Sequence, residues 1–419
     1  MRHVTCRKAW LRRAATYLGT VLLLVACARG TGGSEPRVSR AHATSSPAAS
    51  PGPDYPLWVP ASVALPRHLE PRTWSPAASQ AWSHRLLLVG WFTRLAGAGH
   101  VRYLLQELPH TPYPVQLLAR ADLGTGDVRY ATQLIPGPQS VAVTPTGVWV
   151  LGSAWITRNL EHLGPETLYR FDPATLRLVS ARRIGPPAGW TPNPALSAGA
   201  DGELWLAAGS TARLIRPVPW SVLRTVSVRH GRVAQLAFTP DGRRVYVVVA
   251  VGSGAGTGRW LIQERDRASW ALLSTRTLPG YGHGVLISAA DSAVWVSTGV
   301  AHSGGVQLLS GDLHAVRLVL GAAEAAHGPE EKHFFDFGTE VTATVLGGAA
   351  WLTAMNALAC LQPATGRVLA EQPGDQRHGA ALDQGPTVYD GNIYGLQFLG
   401  GGVPGEGLVE VHPPAVCAG

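Results

Sequence analysis

The sequence predicts an all-β chain folded as a β-propeller of seven blades with four antiparallel strands each. Three observations carry that expectation. Beyond residue 53 the chain consists of short Val/Leu/Ala/Trp runs punctuated by Gly and Pro, with no long stretch of period 3.6, which is the pattern of strands. A polar turn followed by an apolar–aromatic–apolar triplet recurs, with the aromatic at 149, 205, 246, 295, 351 and 394, at intervals of 41 to 56 residues. A second recurring piece is a strand that ends in a tight turn before another strand. Four short strands every 40 to 50 residues or so is the spacing of a propeller blade.

The elements follow in order. Arg2, Arg7, Lys8, Arg12 and Arg13 form a basic start, and Ala14 to Val25 an apolar run too short to span a bilayer comfortably. Together they have the layout of a secretory signal. Leu24-Val25-Ala26-Cys27 resembles the lipobox of bacterial lipoproteins. The resemblance implies that residues 1–26 are removed and that the Cys27 sulfur carries a diacylglycerol, tethering the chain to the extracytoplasmic side of a membrane. Residues 27–53 then read as a flexible Gly/Ser/Pro tether, since few apolar side chains are present to offset the cost of ordering.

The body spans 54–419 and divides into units near 84–134, 138–186, 195–229, 233–279, 284–321, 337–373 and 379–419. The first carries the run Arg85 to Val89 without an aromatic. The last ends after its third strand, so the apolar Leu57-Trp58-Val59 to Val63-Ala64-Leu65 segment is expected to supply the missing outer strand. The turns Asp172-Pro173-Ala174-Thr175 and Gln362-Pro363-Ala364-Thr365-Gly366 have a physical logic. Pro presets one torsion, Asp or Thr bonds nearby backbone, and Gly supplies positive φ. Thr239-Pro240-Asp241-Gly242 leading into Val245-Tyr246-Val247, with the 172–175 turn, resembles the repeats of YVTN and NHL-like propellers. That resemblance implies the fold; propellers host many functions, so it assigns none.

Charge narrows the partners. The formal +8 falls near +3 without the signal, and the body carries 27 Lys+Arg against 26 Asp+Glu. A concentrated basic face is absent, so nucleic acid is not an expected partner. Of the four cysteines, Cys360 and Cys417 remain in the body. In an oxidising compartment the two are expected to pair; two buried free thiols are the other reading.

In a propeller, specificity resides in the connectors at one mouth. These are expected at 91–112, 153–166, 186–195, 250–259, 279–284, 299–305, 321–340 and 397–406. The longest blade-to-blade insertion, 321–340, carries His327, His333, Asp336 and Glu340, oxygen and imidazole groups of the kind that hold a divalent cation or serve as acid and base. Trp155, Trp190, His283 and His302 are the next candidates. The glycine run 252–258 lacks dinucleotide spacing, and no Gly-x-Ser-x-Gly elbow occurs. The expected role is therefore a monomeric, lipid-anchored binding module for an envelope protein, peptide or glycan. The alternative is a propeller enzyme (lyase, hydrolase or quinone-dependent oxidoreductase) with a His/carboxylate site at the channel mouth.

Overall fold

The computed structural model describes residues 58–59, 63–73, 82–108, 115–155, 164–187, 196–198, 202–228, 231–251, 259–278, 285–298, 305–320, 342–354, 357–373, 383–398 and 406–417. Among them the regular elements are strands, apart from one 3-10 turn at Ala415–Cys417. A two-residue β1 (Arg72–Thr73) precedes the long β2 (Ser83–Ala98), followed by β3 (Val101–Glu107), β4 (Val115–Asp122) and β5 (Val128–Pro136). The second sheet is β6 (Ser140–Thr144), β7 (Gly147–Ser153), β8 (Pro165–Phe171) and β9 (Leu178–Pro187). The third is β10 (Leu196–Ala198), β11 (Leu204–Ala208), β12 (Thr211–Pro217) and β13 (Trp220–Ser227). The fourth is β14 (Arg232–Phe238), β15 (Arg244–Val251), β16 (Arg259–Asp266) and β17 (Leu272–Leu278). The fifth is β18 (Val285–Ala289), β19 (Ala293–Thr298), β20 (Gly305–Ser310) and β21 (Val316–Leu320). The sixth is β22 (Thr342–Leu346), β23 (Ala349–Ala354), β24 (Ala357–Leu361) and β25 (Val368–Pro373). Last come β26 (Asp383–Tyr389), β27 (Asn392–Phe398) and β28 (Glu406–His412).

Strand β2 serves two sheets. Its second half, Trp91 to Ala98, pairs with β3 and is the innermost strand of the first sheet. Its first half pairs with β28, from Ser83↔His412 to Gly90↔Glu406, and completes the last sheet. Successive sheets touch through their innermost strands, β2 with β6, β6 with β10, β14 with β18, β18 with β22 and β22 with β26, while the third sheet meets β14 through its second strand, β11. Strand β26 then returns to β2. The fold is a β-propeller, and pairing the first stretch of chain with the last removes the open edges that a row of sheets would present.

The closing strand is therefore 83–90 and not the 57–65 segment. Trp58 and Val59 lie on the edge of β5 instead: Trp58 bridges Gln133, and Val59 N donates to Thr132 O at 3.1 Å. Val59, Val63 and Leu65 pack on the core shared by the first two sheets. The run Arg85 to Val89 belongs to the closure, so the aromatic of the first unit is Tyr103 on β3.

With Tyr103 included, the repeat has one register. Tyr103, Trp149, Trp205, Tyr246, Trp295, Trp351 and Tyr394 all lie on the second strand of a sheet. Each faces a small or short residue on the innermost strand: Ala96, Ala142, Ser197, Ala237, Ser288, Thr344 and Thr387. The small partner leaves space for a ring to fill the wedge toward the next sheet. Several rings also reach the following sheet's outer turn. Tyr103 Oη donates to Pro173 O at 3.0 Å, Tyr246 Oη to Gly311 O at 2.8 Å and Trp295 Nε1 to Pro363 O at 2.9 Å. Backbone mimicry adds further links: Gln235 Nε2 donates to Ile287 O at 3.0 Å while Ile287 N donates back to Gln235 Oε1 at 2.8 Å.

The turns between third and fourth strands are held by their own side chains. Asp172 Oδ1 accepts from Thr175 N at 2.8 Å and Thr175 Oγ1 at 2.8 Å, and Asp266 Oδ1 accepts from Ser269 N at 2.7 Å. Leu176, Trp270 and Leu313, in three of these turns, hold φ of 56°, 66° and 65°. A non-glycine residue there is strained, yet all three side chains are buried in the cores between sheets. Full burial of a Leu side chain, about 1.5–3 kcal/mol, offsets a strain of about 1–3 kcal/mol. At the chain's far end the sulfurs of Cys360 and Cys417 are joined, with Cα atoms 5.9 Å apart and both residues buried.

Candidate functional site

The two ends of the propeller differ. At one end lie the tight inner hairpins and the side-chain-locked turns described above. At the other end, strands β3, β7, β15, β19 and β27 stop, and β4, β8, β16, β20 and β28 start. The connectors at this second end are the longer ones, except the two-residue joints of β11 to β12 and β23 to β24. The expected candidates His327, His333, Asp336 and Glu340 fall in one of them, between Leu320 and Thr342, and lie outside the described residues, as do Trp190, His283 and His302. The divalent cation expected there lies with them. Cys27 and the segments before it lie outside as well. The stretch 91–107, expected as part of a mouth connector, is instead the paired strands β2 and β3.

What the structure places at this end is a row of polar side chains on the first two sheets. Thr93 sits at a register shift between Phe92 and Arg94, so its side chain is turned out of the ladder alternation. Thr93 Oγ1 donates to Gln116 Oε1 at 2.6 Å, and Gln116 Nε2 donates to Glu107 Oε1 at 3.4 Å. Arg94 Nε crosses to the second sheet and donates to Gln139 O at 3.1 Å. Gln106 Oε1, Ser140 Oγ and Ser153 Oγ are buried at the same end with no hydrogen-bond partner. Buried polar atoms are ordinarily paired, so three in one region mark a place that water or a ligand completes.

Glu166 extends the row. It lies at a second register shift, between Pro165 and Thr167, and burial raises its carboxyl pKa while the nearby Arg213 guanidinium lowers it. Arg213 Nη1 also donates to Ile184 O at 3.4 Å, which fixes it beside β9. A Cβ at Gly185 would stand 2.9 Å from Glu166 Oε2, so glycine there leaves the carboxyl its space. Trp155, the one further candidate among the described residues, is half-buried at the foot of the next connector. Its carbonyl accepts from Gly164 N at 2.8 Å, and a Cβ at Gly164 would meet the indole at 2.9 Å. Sequence reasoning missed Thr93 and Glu166, which register shifts bring to the rim, and Glu107 and Gln116, which face each other where β3 ends and β4 begins.

Chemically the row offers alternating donors and acceptors with one carboxyl of raised pKa, an arrangement suited to holding a polar ligand. Among the described residues, no group of three His, Cys, Asp or Glu is placed to hold a metal ion.

Neither a protein-family model nor a curated protein matches the chain. Among solved structures it is similar to the β-propeller domain of the Trilobed protease from Pyrococcus furiosus, at 11% identity and a TM-score of 0.49, covering 77% of this chain and 93% of that one.

Proposed function

We propose that this chain is a lipid-anchored, extracytoplasmic β-propeller that binds an envelope protein, peptide or glycan through the end carrying its long connectors. The supporting observation is the row from Thr93 through Gln116 and Ser153 to Glu166. It concentrates unpartnered and half-buried polar groups at that end, while at the opposite end side chains such as Asp172 and Asp266 lock their own turns. The seven-sheet ring supplies the rigid frame that a binding face needs. The anchor rests on the resemblance of residues 24–27 to a lipobox, with Cys27 as the lipidated residue.

Two variants test the reading. Cys27→Ala is expected to abolish lipid attachment and to move the protein out of the membrane fraction; an unchanged mature mass and fractionation would contradict the anchor. Replacing 322–335 with a short Gly-Ser link is expected to leave the propeller folded and to remove whatever co-purifies from the native membrane. Native mass spectrometry with metal analysis reads both at once. A stoichiometric metal with no macromolecular partner would favour the enzymatic alternative, with Glu166 as its acid.

A further inference from the structure

In six of the seven sheets the residue before the recurring aromatic is apolar: Val148, Leu204, Val245, Val294, Ala350 and Ile393. In the first sheet it is Arg102, which is 1% exposed. The repeat does not require a cation at this position, so Arg102 serves something other than the scaffold. It points into the seam where the first sheet meets the last, with its guanidinium carbon 4.7 Å from the Tyr394 ring centre and 5.8 Å from that of Tyr389.

The guanidinium is half satisfied. Nη1 donates to Gly99 O at 2.7 Å and to Val101 O at 3.0 Å. Nε and Nη2 are buried and have no hydrogen-bond partner. These two N–H groups form the edge of the guanidinium that points both hydrogens the same way, the fork that grips an anion side-on. Among the described residues no carboxylate pairs with Arg102. Glu410, the carboxylate that holds Tyr394, is engaged by Arg85 Nη1 at 3.1 Å, by Tyr394 Oη at 2.8 Å and by Asn392 Nδ2 at 3.2 Å. Burial lowers the Arg102 pKa while the two tyrosines raise it.

The surroundings add a donor. Arg102 pairs across the ladder with Gly97, where a Cβ would stand 3.1 Å from Arg102 Nη1 and 3.1 Å from Thr387 Cγ2. The Thr387 hydroxyl, beside the same glycine, is buried and also lacks a partner. A buried, uncompensated charge is costly, and a counter-ion in contact removes most of that cost.

We propose that the Nε–Nη2 edge of Arg102, with Thr387 nearby, binds one small anion, a halide or a formate-sized carboxylate, in the seam that closes the ring. The ion then joins the first and last sheets beside β2, the one strand that both sheets share. Thermal unfolding of the mature protein, with chloride or formate replacing gluconate at constant ionic strength, tests this. Gluconate, a much larger anion, is expected to stay out of a site that is buried. The wild-type midpoint is expected to rise by a few degrees as the small anion replaces gluconate, because a ligand held only by the folded state stabilises it by mass action. Arg102→Met is expected to show no such rise, whereas Arg129→Met, on the rim of the same sheet, keeps it. A flat wild-type response, or an equal rise in Arg102→Met, overturns the proposal. If Arg102→Met does not fold, bromide soaked into wild-type crystals decides. An anomalous peak at the Arg102 fork supports the site, and peaks only elsewhere refute it.

Discussion

Trp205 on β11 stacks on Trp270 in the outer turn of the following sheet, with ring centroids 4.7 Å apart and planes 21° from parallel. Trp270 holds this contact from a backbone φ of 66°, a conformation that favours glycine. The stack therefore carries the strain of the turn, and the two effects separate by mutation. Trp270→Ala keeps the strain and loses the ring, and is expected to cost about 3–5 kcal/mol. Trp270→Gly loses the ring and relieves the backbone, so it is expected to be the more stable of the two by about 1 kcal/mol. Urea unfolding midpoints of the three proteins check the order; a glycine variant weaker than the alanine one would show that the turn is unstrained.

The Cys360–Cys417 bond closes a loop with a sequence separation of 57 and ties the final turn to β24. Chain-entropy arguments put its contribution at about 4 kcal/mol. Cys360→Ala with Cys417→Ala is expected to lower stability by that order and to free the last turn to proteolysis. Thiol titration of the unfolded, unreduced wild type is the direct check: two reactive thiols would mean that the bond does not form.

Acid is expected to loosen the locked turns. Bonds from Thr175 backbone and side chain lower the Asp172 pKa, the Ser269 hydroxyl and amide lower that of Asp266, and the Ser310 hydroxyl lowers that of Asp312. A depressed folded pKa stabilises the protein above the unfolded value, about 3.9, and that stability is lost as pH falls through the folded pKa. Asp172→Asn with Asp266→Asn keeps an accepting oxygen in each turn and removes the titration. The double variant is expected to lose stability less steeply than wild type between about pH 4 and pH 2. Equal slopes in urea unfolding across that range would refute the assignment.

The sequence made the repeat visible where the triplet is uninterrupted. Trp149, Trp205, Tyr246, Trp295, Trp351 and Tyr394 each sit between apolar neighbours after a polar turn, so their common register is legible from spacing. Tyr103 escaped because Arg102 breaks its triplet, and that exception is the residue with the unfilled fork. The closing strand escaped for another reason: Leu86 to Phe92 is one apolar run, and nothing local marks Gly90 as the point where pairing passes from β28 to β3. Partners that far apart in the chain are set by the closure of the whole ring. Thr93 and Glu166 reach the rim through register shifts, which depend on how strands meet and leave no composition signal.

The central claim is a ring of seven four-stranded sheets closed by residues 83–90 against 406–412. Hydrogen–deuterium exchange of the native protein, read on peptides covering these two segments, tests it most directly. Those amides of 84–90 that bond to β28 are expected to exchange as slowly as those of β27 and β28, since they lie within one paired sheet. Exchange of 84–90 at the rate of an unstructured chain, with β28 protected on one side only, would contradict the closure and with it the ring.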